Sequence, residues 1–283
     1  MFDKISSSWR LVQASFAVLR SDKELIVFPV VSGIGLLIVS AAFLIPMFAA
    51  GLMDNLSNPE GEGIFSYIVM FLFYVVTYTV MIFANSALVG AALIRLGGGD
   101  PTLRDGFRIA SEHAGKILGY ALIAATVGMI LRTLSERSGI VGRIVIGLVG
   151  TAWSIATFLV VPVLVNEDIG PIDAVKRSTQ LLKKTWGEQL VGNFGLGMFF
   201  GLLTFGVILL IGMPLFWLGA TADSPAMIFG AIIVMVVLLI VIGLISSTLG
   251  GIYQAALYRY ATEGDAGEFF DRDLIEGAFK PKR

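Results

Sequence analysis

Three side-chain amides, Asn85, Asn193 and Gln254, stand inside stretches of sequence that are otherwise almost wholly apolar. An amide carries both donors and an acceptor, so in such surroundings it bonds to another helix or lines a polar path for a solute. Bonding between helices is the expectation, with a solute path as the sharper alternative. Thr126, Ser154 and Thr157 add hydroxyl groups to the same kind of stretch. No Asp or Glu falls at the centre of any of them, which speaks against a proton relay or a carboxylate site for a coupling ion. The second chemical group is guanidinium. Arg95 and Arg259 close two long apolar segments, where the helix dipole and an anionic leaflet both favour a cation, and they are read as lipid contacts. Arg132, Arg137 and Arg143 cluster in "LRTLSERSGIVGR", where guanidinium geometry suits a phosphate or other anion and Glu136 is a partial partner.

Nothing else in the chain has the makings of a reaction centre. Cysteine is absent and His113 is the single histidine, which excludes disulfides, thiolate nucleophiles and multi-histidine metal sites. His113 has no carboxylate and nucleophile pattern around it. The chain is therefore expected to be no enzyme and to need no metal or other cofactor. With a formal net charge of −1 it also has no basic footprint for nucleic acid.

The elements that must position these groups are membrane helices. Of 283 residues, 56% are hydrophobic and 14% charged, and the mean hydropathy is +0.86. A soluble globule of that composition would leave a large apolar surface in water. Six apolar stretches, residues 25–50, 64–96, 114–131, 140–165, 190–218 and 225–260, are each long enough to cross about 30 Å of hydrocarbon. The second and sixth would measure about 50 Å as helices and must tilt, break or project beyond the bilayer. The fold class predicted is all-α: one polytopic membrane domain over residues 1–283.

Basic residues orient it. If the N-terminus is cytoplasmic, 17 of the 20 Lys and Arg fall on the cytoplasmic side, and only Arg132, Arg137 and Arg143 fall outside. The chain is thus expected to be a multi-pass protein of the cytoplasmic (inner) membrane with both termini inside.

Three echoes suggest an internal repeat. "AALIRLGGGD" at Ala91 returns as "AALYRYATEGD" at Ala255, "SWRLVQASF" at Ser8 as "STQLLKKTW" at Ser178, and "PMFAAG" at Pro46 as "PLFWLG" at Pro214. They read as parallel units 1–98, 99–168 (degenerate) and 169–262, followed by a cytoplasmic tail, 263–283. Each unit would hold one amphipathic helix and two spans. The amphipathic stripes are Ile5, Trp9, Val12, Phe16, Leu19; Leu103, Phe107, Ala110, Ala114, Ile117; and Ile172, Val175, Leu182, Trp186, expected to lie in the interface as topological anchors. Pro101 and Pro171 are placed at first helical positions, after Asp100 and Gly170 as caps. Small residues at four-residue spacing (Gly243, Ser247, Gly251, Ala255; Asn193, Gly197, Gly201; Ser86, Gly90) are read as close helix seams.

The phrases "SDKELIVFPVVSGI", "ATVGMILRTLSERSGIVGR", "TAWSIATFLVVPVLV" and "GPIDAVKRSTQLLKKTWGEQLVGN" resemble domain-of-unknown-function family 6159, prokaryotic membrane proteins of six helices. The resemblance covers most of the chain up to the sixth span and is most distinctive over residues 135–193. It implies an integral membrane protein with no assigned reaction, so no active site is carried over. The function expected is that of a lipid-interacting or scaffold protein, with a transporter or channel for a small or amphiphilic molecule as the alternative. The partners expected are membrane lipids, anionic ones included, and a second copy or another membrane protein.

The charge asymmetry makes a direct prediction. Cysteines introduced at Asn58 and Ser224 should react with an impermeant maleimide on intact cells, whereas one at Thr179 should react only after permeabilisation. Labelling of Thr179→Cys from outside would reverse the topology.

Overall fold

The structure, a computed structural model, describes residues 2–49, 64–186, 195–222, 224–271 and 275. Among them there is no strand. The chain runs α1 (Phe2–Ser21), a 3-10 turn (Lys23–Ile26), α2 (Val27–Ala49), α3 (Ile64–Leu96), α4 (Leu103–Glu112), α5 (Ala114–Glu136), α6 (Ile140–Ala156), α7 (Val160–Asn166), α8 (Pro171–Trp186), α9 (Gly195–Val207), a π turn (Ile208–Gly212), α10 (Met213–Thr221) and α11 (Pro225–Glu263). Six helical stretches are long and apolar enough to cross a membrane. The acidic loop 51–63, Asn193 and Asp223 lie outside the described residues.

One helix organises the rest. α3 packs against α2, α4, α5, α7 and α11, and its last turns are composed to permit this: Ala84, Ser86, Ala87, Ala91 and Ala92 are all buried and all small. Small side chains let helix axes approach closely, which is how helices associate where lipid removes most of the hydrophobic driving force. A Cβ built on Gly106 of α4 would fall 2.5 Å from Phe28 Cζ and 2.7 Å from the Ala87 carbonyl oxygen, so α4 fits between α2 and α3 only as a glycine. Gly90 meets Ile109 of α4, and Gly251 of α11 meets Leu88, in the same way.

The core sits at one end of the bundle. Leu11, Val18 and Leu19 of α1, Ala110 of α4, and Ala174, Leu181 and Leu182 of α8 are buried there with the ends of α3 and α11. Each of these helices thus buries a face against its neighbours, while Trp9, Phe16 and Ile172 of the predicted stripes stay exposed. At the other end the spans splay: Leu37 is 72% and Phe48 78% exposed, and α6 buries no residue at all. Apolar exposure on that scale belongs against lipid chains.

Helix boundaries correct several expectations. α5 runs on to Glu136 rather than stopping near residue 131. α4 starts at Leu103, not Pro101, because Thr102 and Asp105 form a capping box; those hydrogen bonds hold the Asp105 carboxyl below the usual carboxylate range. α8 does start at Pro171, with the Gly170 carbonyl accepting from Ala174. The fourth span is two helices, not one, broken at residues 157–159.

The echoed helix ends fold alike locally. α3 ends in a Schellman turn at Gly98 (φ +84°) and α11 in a left-handed cap at Gly264 (φ +77°). Each arginine then pairs with the aspartate of its own phrase, Arg95 with Asp100 at 2.5 Å and Arg259 with Asp265 at 3.5 Å.

The close approach at α4 can be weighed. Gly106→Ala should lower stability by about 1–3 kcal/mol, the usual cost of overpacking, read as a clear drop in melting temperature in detergent. Gly33→Ala, which meets no atom within 4 Å, should leave the melt unchanged. Equal melts for the two variants would contradict the packing.

Candidate functional site

The break between α6 and α7 has a covalent cause. In a continuous helix the Phe158 carbonyl would accept from the backbone N–H four residues on, but that residue is Pro162, which has none and whose ring crowds the carbonyl. In apolar surroundings an orphaned carbonyl is costly and must find another donor. Gln254 of α11 supplies it, its Nε2 donating to the Phe158 oxygen. Leu159, the next residue, donates its N–H to Ser178 Oγ of α8 at 3.0 Å. Two neighbouring helices thus satisfy the backbone of the break.

This fixes the sense of the amides. A carbonyl only accepts, so Gln254 must turn its NH2 toward Phe158, which leaves its Oε1 as an acceptor. Asn85 Nδ2 donates to that Oε1 at 3.2 Å. Asn85 Oδ1 is then left as an acceptor, and no described residue donates to it. Asn85 and Gln254 are partly exposed although Ala84, Ser86, Tyr253 and Ala255 beside them are buried.

What they are exposed to is a cavity of 1220 Å³ among α2, α3, α5, α6 and α11. It exceeds the range of ordinary small-molecule sites, about 300–1,000 Å³. Glycine makes the room: a Cβ on Gly33, Gly147, Gly243 or Gly250 would meet nothing within 4 Å, and all four line the cavity. α6 faces it with Gly147, Gly150, Thr151 and Ser154 beside the larger Trp153, and Thr157 of the break follows. The hydroxyls of Thr151, Ser154 and Thr157 bond back to carbonyls one turn earlier, which mutes their polarity. Among the described residues the lining holds no Asp, Glu, Lys, Arg or His. Asn85 and Gln254 mark the end of the cavity nearest the packed core.

The structure therefore joins two of the three predicted amides, while Asn193 lies outside the described residues. The seam read into α11 divides: Gly251 is a tight contact, whereas Gly243 and Ser247 face the cavity. Gly197 and Gly201 also face open space.

The arginines are spread over both ends. Arg95 reaches Asp22 at 3.5 Å as well as Asp100, and burial pushes the Asp22 carboxyl above its usual range against the pull of that guanidinium. Arg259 pairs with Glu263 and donates to the Leu96 carbonyl. Both guanidinium groups thus have carboxylate partners within the chain, although Arg95 Nε is buried without a partner among the described residues. At the splayed end Arg132 bonds Glu136 at 2.7 Å and the Tyr74 hydroxyl, Arg143 reaches the Ser135 carbonyl at 3.4 Å, and Arg137 is exposed.

Sequence reading passed over Pro162 inside the fourth span and the spacing of Gly147, Gly150, Thr151, Ser154 and Thr157. Both were legible signals, the first of an orphan carbonyl and the second of a face too small to fill the space beside it.

The orphan-carbonyl account is testable by coupling. Gln254→Leu should cost about 1–3 kcal/mol, the cost of leaving a buried carbonyl unbonded. In a Pro162→Ala background, where an N–H is restored, the same change should cost much less. Strictly additive losses in detergent melts would contradict the assignment.

No curated protein matches the chain. Residues 64–269 match a family of unknown function (DUF6159), and that stretch takes in α3 to α11, the break and all but the α2 wall of the cavity; the protein belongs to this family.

Proposed function

We propose that this protein is a non-enzymatic, lipid-interacting protein of the cytoplasmic membrane that draws an amphiphilic molecule from the bilayer into the cavity between α6 and α11. The observation that carries this reading is a large cavity with glycines on four of its walls that meet little or nothing opposite, at a height where the spans are otherwise clothed in exposed apolar side chains. A scaffold needs no such space. Bare glycine faces in hydrocarbon forfeit the packing that drives helix association, so they are kept where something else fills the gap. α6 suits a movable wall, since it buries no residue and packs closely only on α5 and α8.

In this reading the packed end, with α1, α4 and α8 and most of the lysines and arginines, faces the cytoplasm. Arg132, Arg137 and Arg143 then meet headgroup phosphates of the opposite leaflet. Arg95 and Arg259 serve to close helix ends rather than to bind lipid, because their guanidinium groups already have carboxylate partners. Transport of the amphiphile across the bilayer is the stronger form of the same reading, favoured by the broken fourth span, since discontinuous helices accompany transport sites elsewhere.

Trp153 lines the cavity and Trp217 is 66% exposed at the splayed end, so each reports a different environment. In nanodiscs, a variant retaining Trp153 alone should be quenched to saturation by a brominated oleyl chain at mole fractions that barely dim a variant retaining Trp217 alone. Gly147→Phe with Gly250→Phe should reduce the Trp153 response at least several-fold. Parallel, non-saturating quenching of both tryptophans would remove the proposal.

A further inference from the structure

The cavity's deep end selects for one kind of head. We infer that the amphiphile carries a neutral hydrogen-bond donor, a hydroxyl in the simplest case, which donates to Asn85 Oδ1; this rests on the cavity being a binding site. The deduction runs from the proline outward. Pro162 has no N–H, so the Phe158 carbonyl loses its in-helix donor. Gln254 must give its NH2 to that carbonyl and therefore shows its oxygen to Asn85. Asn85 gives an N–H to Gln254, and among the described residues none donates to its own oxygen. The Phe158 carbonyl, which only accepts, thus sets the pair in a single polarity.

Gly251 supports the same arrangement. A Cβ there would lie 3.2 Å from Asn85 Oδ1 and would overlap Leu88. The glycine thus leaves the oxygen uncovered on the α11 side. A bare amide oxygen beside apolar walls is costly unless a donor reaches it, and a ligand head in the cavity that Asn85 lines can do so.

Charge narrows the class further. An ammonium head would also donate, yet among the described residues the lining has no carboxylate to balance it and no cation for a phosphate or carboxylate head. Burying either ion unpaired is far costlier than burying a hydroxyl. Long-chain alcohols, monoacylglycerols and other lipids whose head is an uncharged hydroxyl fit; ordinary phospholipids do not fit head-first.

The probes are brominated C18 alcohol, its methyl ether, and the matching trimethylammonium, titrated against the variant retaining Trp153 alone in nanodiscs. Alcohol and ether share chain and neutrality, and differ in the donor. The protein with Asn85 and Gln254 intact should prefer the alcohol about five- to tenfold, the worth of one net hydrogen bond, and should bind the ammonium weakest. Asn85→Leu should bring the alcohol down to the level of the ether while the ether stays as it was. Equal, saturable binding of alcohol and ether to the otherwise unaltered chain would overturn the head assignment and leave the cavity reading standing. Saturable quenching by none of the three would overturn both.

Discussion

A backbone carbonyl in hydrocarbon must be hydrogen-bonded, and the structure turns on one that cannot be bonded locally. Pro162 deprives Phe158 of its helical partner. The consequences pass through four helices: α6 and α7 separate, α11 sends Gln254 across to the break, and α3 sends Asn85 to Gln254. Ser178 of α8 secures the neighbouring N–H. A sequence change that looks like a defect in the fourth span is thus the point at which α3, α7, α8 and α11 are held in one register.

Glycine then plays two opposite parts around that point. At the packed end Gly90, Gly106 and Gly251 are filled against, each by a named neighbour, and α4 and α11 seat tightly on α3. Facing the cavity, Gly33 of α2, Gly147 of α6, and Gly243 and Gly250 of α11 meet nothing. The contrast gives the molecule a rigid end and an open one. Large apolar side chains on the outer faces, such as Leu37, Phe48 and Leu210, leave the open end surrounded by lipid-like surface, so a chain entering the cavity exchanges one apolar environment for another. At the amide pair the lining offers side-chain amides as well as hydroxyls.

How much of this the sequence disclosed follows from the range of each interaction. Six apolar helices and their approximate ends were legible because hydrophobic length is local. Asn85 and Gln254 stood out for the same reason, but their partnership did not, since 169 positions separate them. Spacing of small residues located Gly243, Ser247 and Gly251 on one face without telling a seam from a void; that difference depends on whether Leu88 or empty space lies opposite. Arg95 and Arg259 were noticed as helix-end cations, yet Asp22, which comes to Arg95 from 73 positions away, could not be foreseen. The capping box at Thr102 and the kink at Pro162 are cases where the residues themselves carried the answer and a simpler reading of Pro101 and of an unbroken apolar run obscured it.

The central claim is that the space beside Asn85 and Gln254 is occupied by an amphiphile. A cryo-electron microscopy structure of the protein extracted directly into nanodiscs of its own membrane lipid tests this most directly. The account predicts elongated, non-protein density among α2, α3, α5, α6 and α11, ending within hydrogen-bonding distance of Asn85 Oδ1. Closure of α6 onto α11, with Gly147 and Gly243 packed against protein and no room between them, would contradict it.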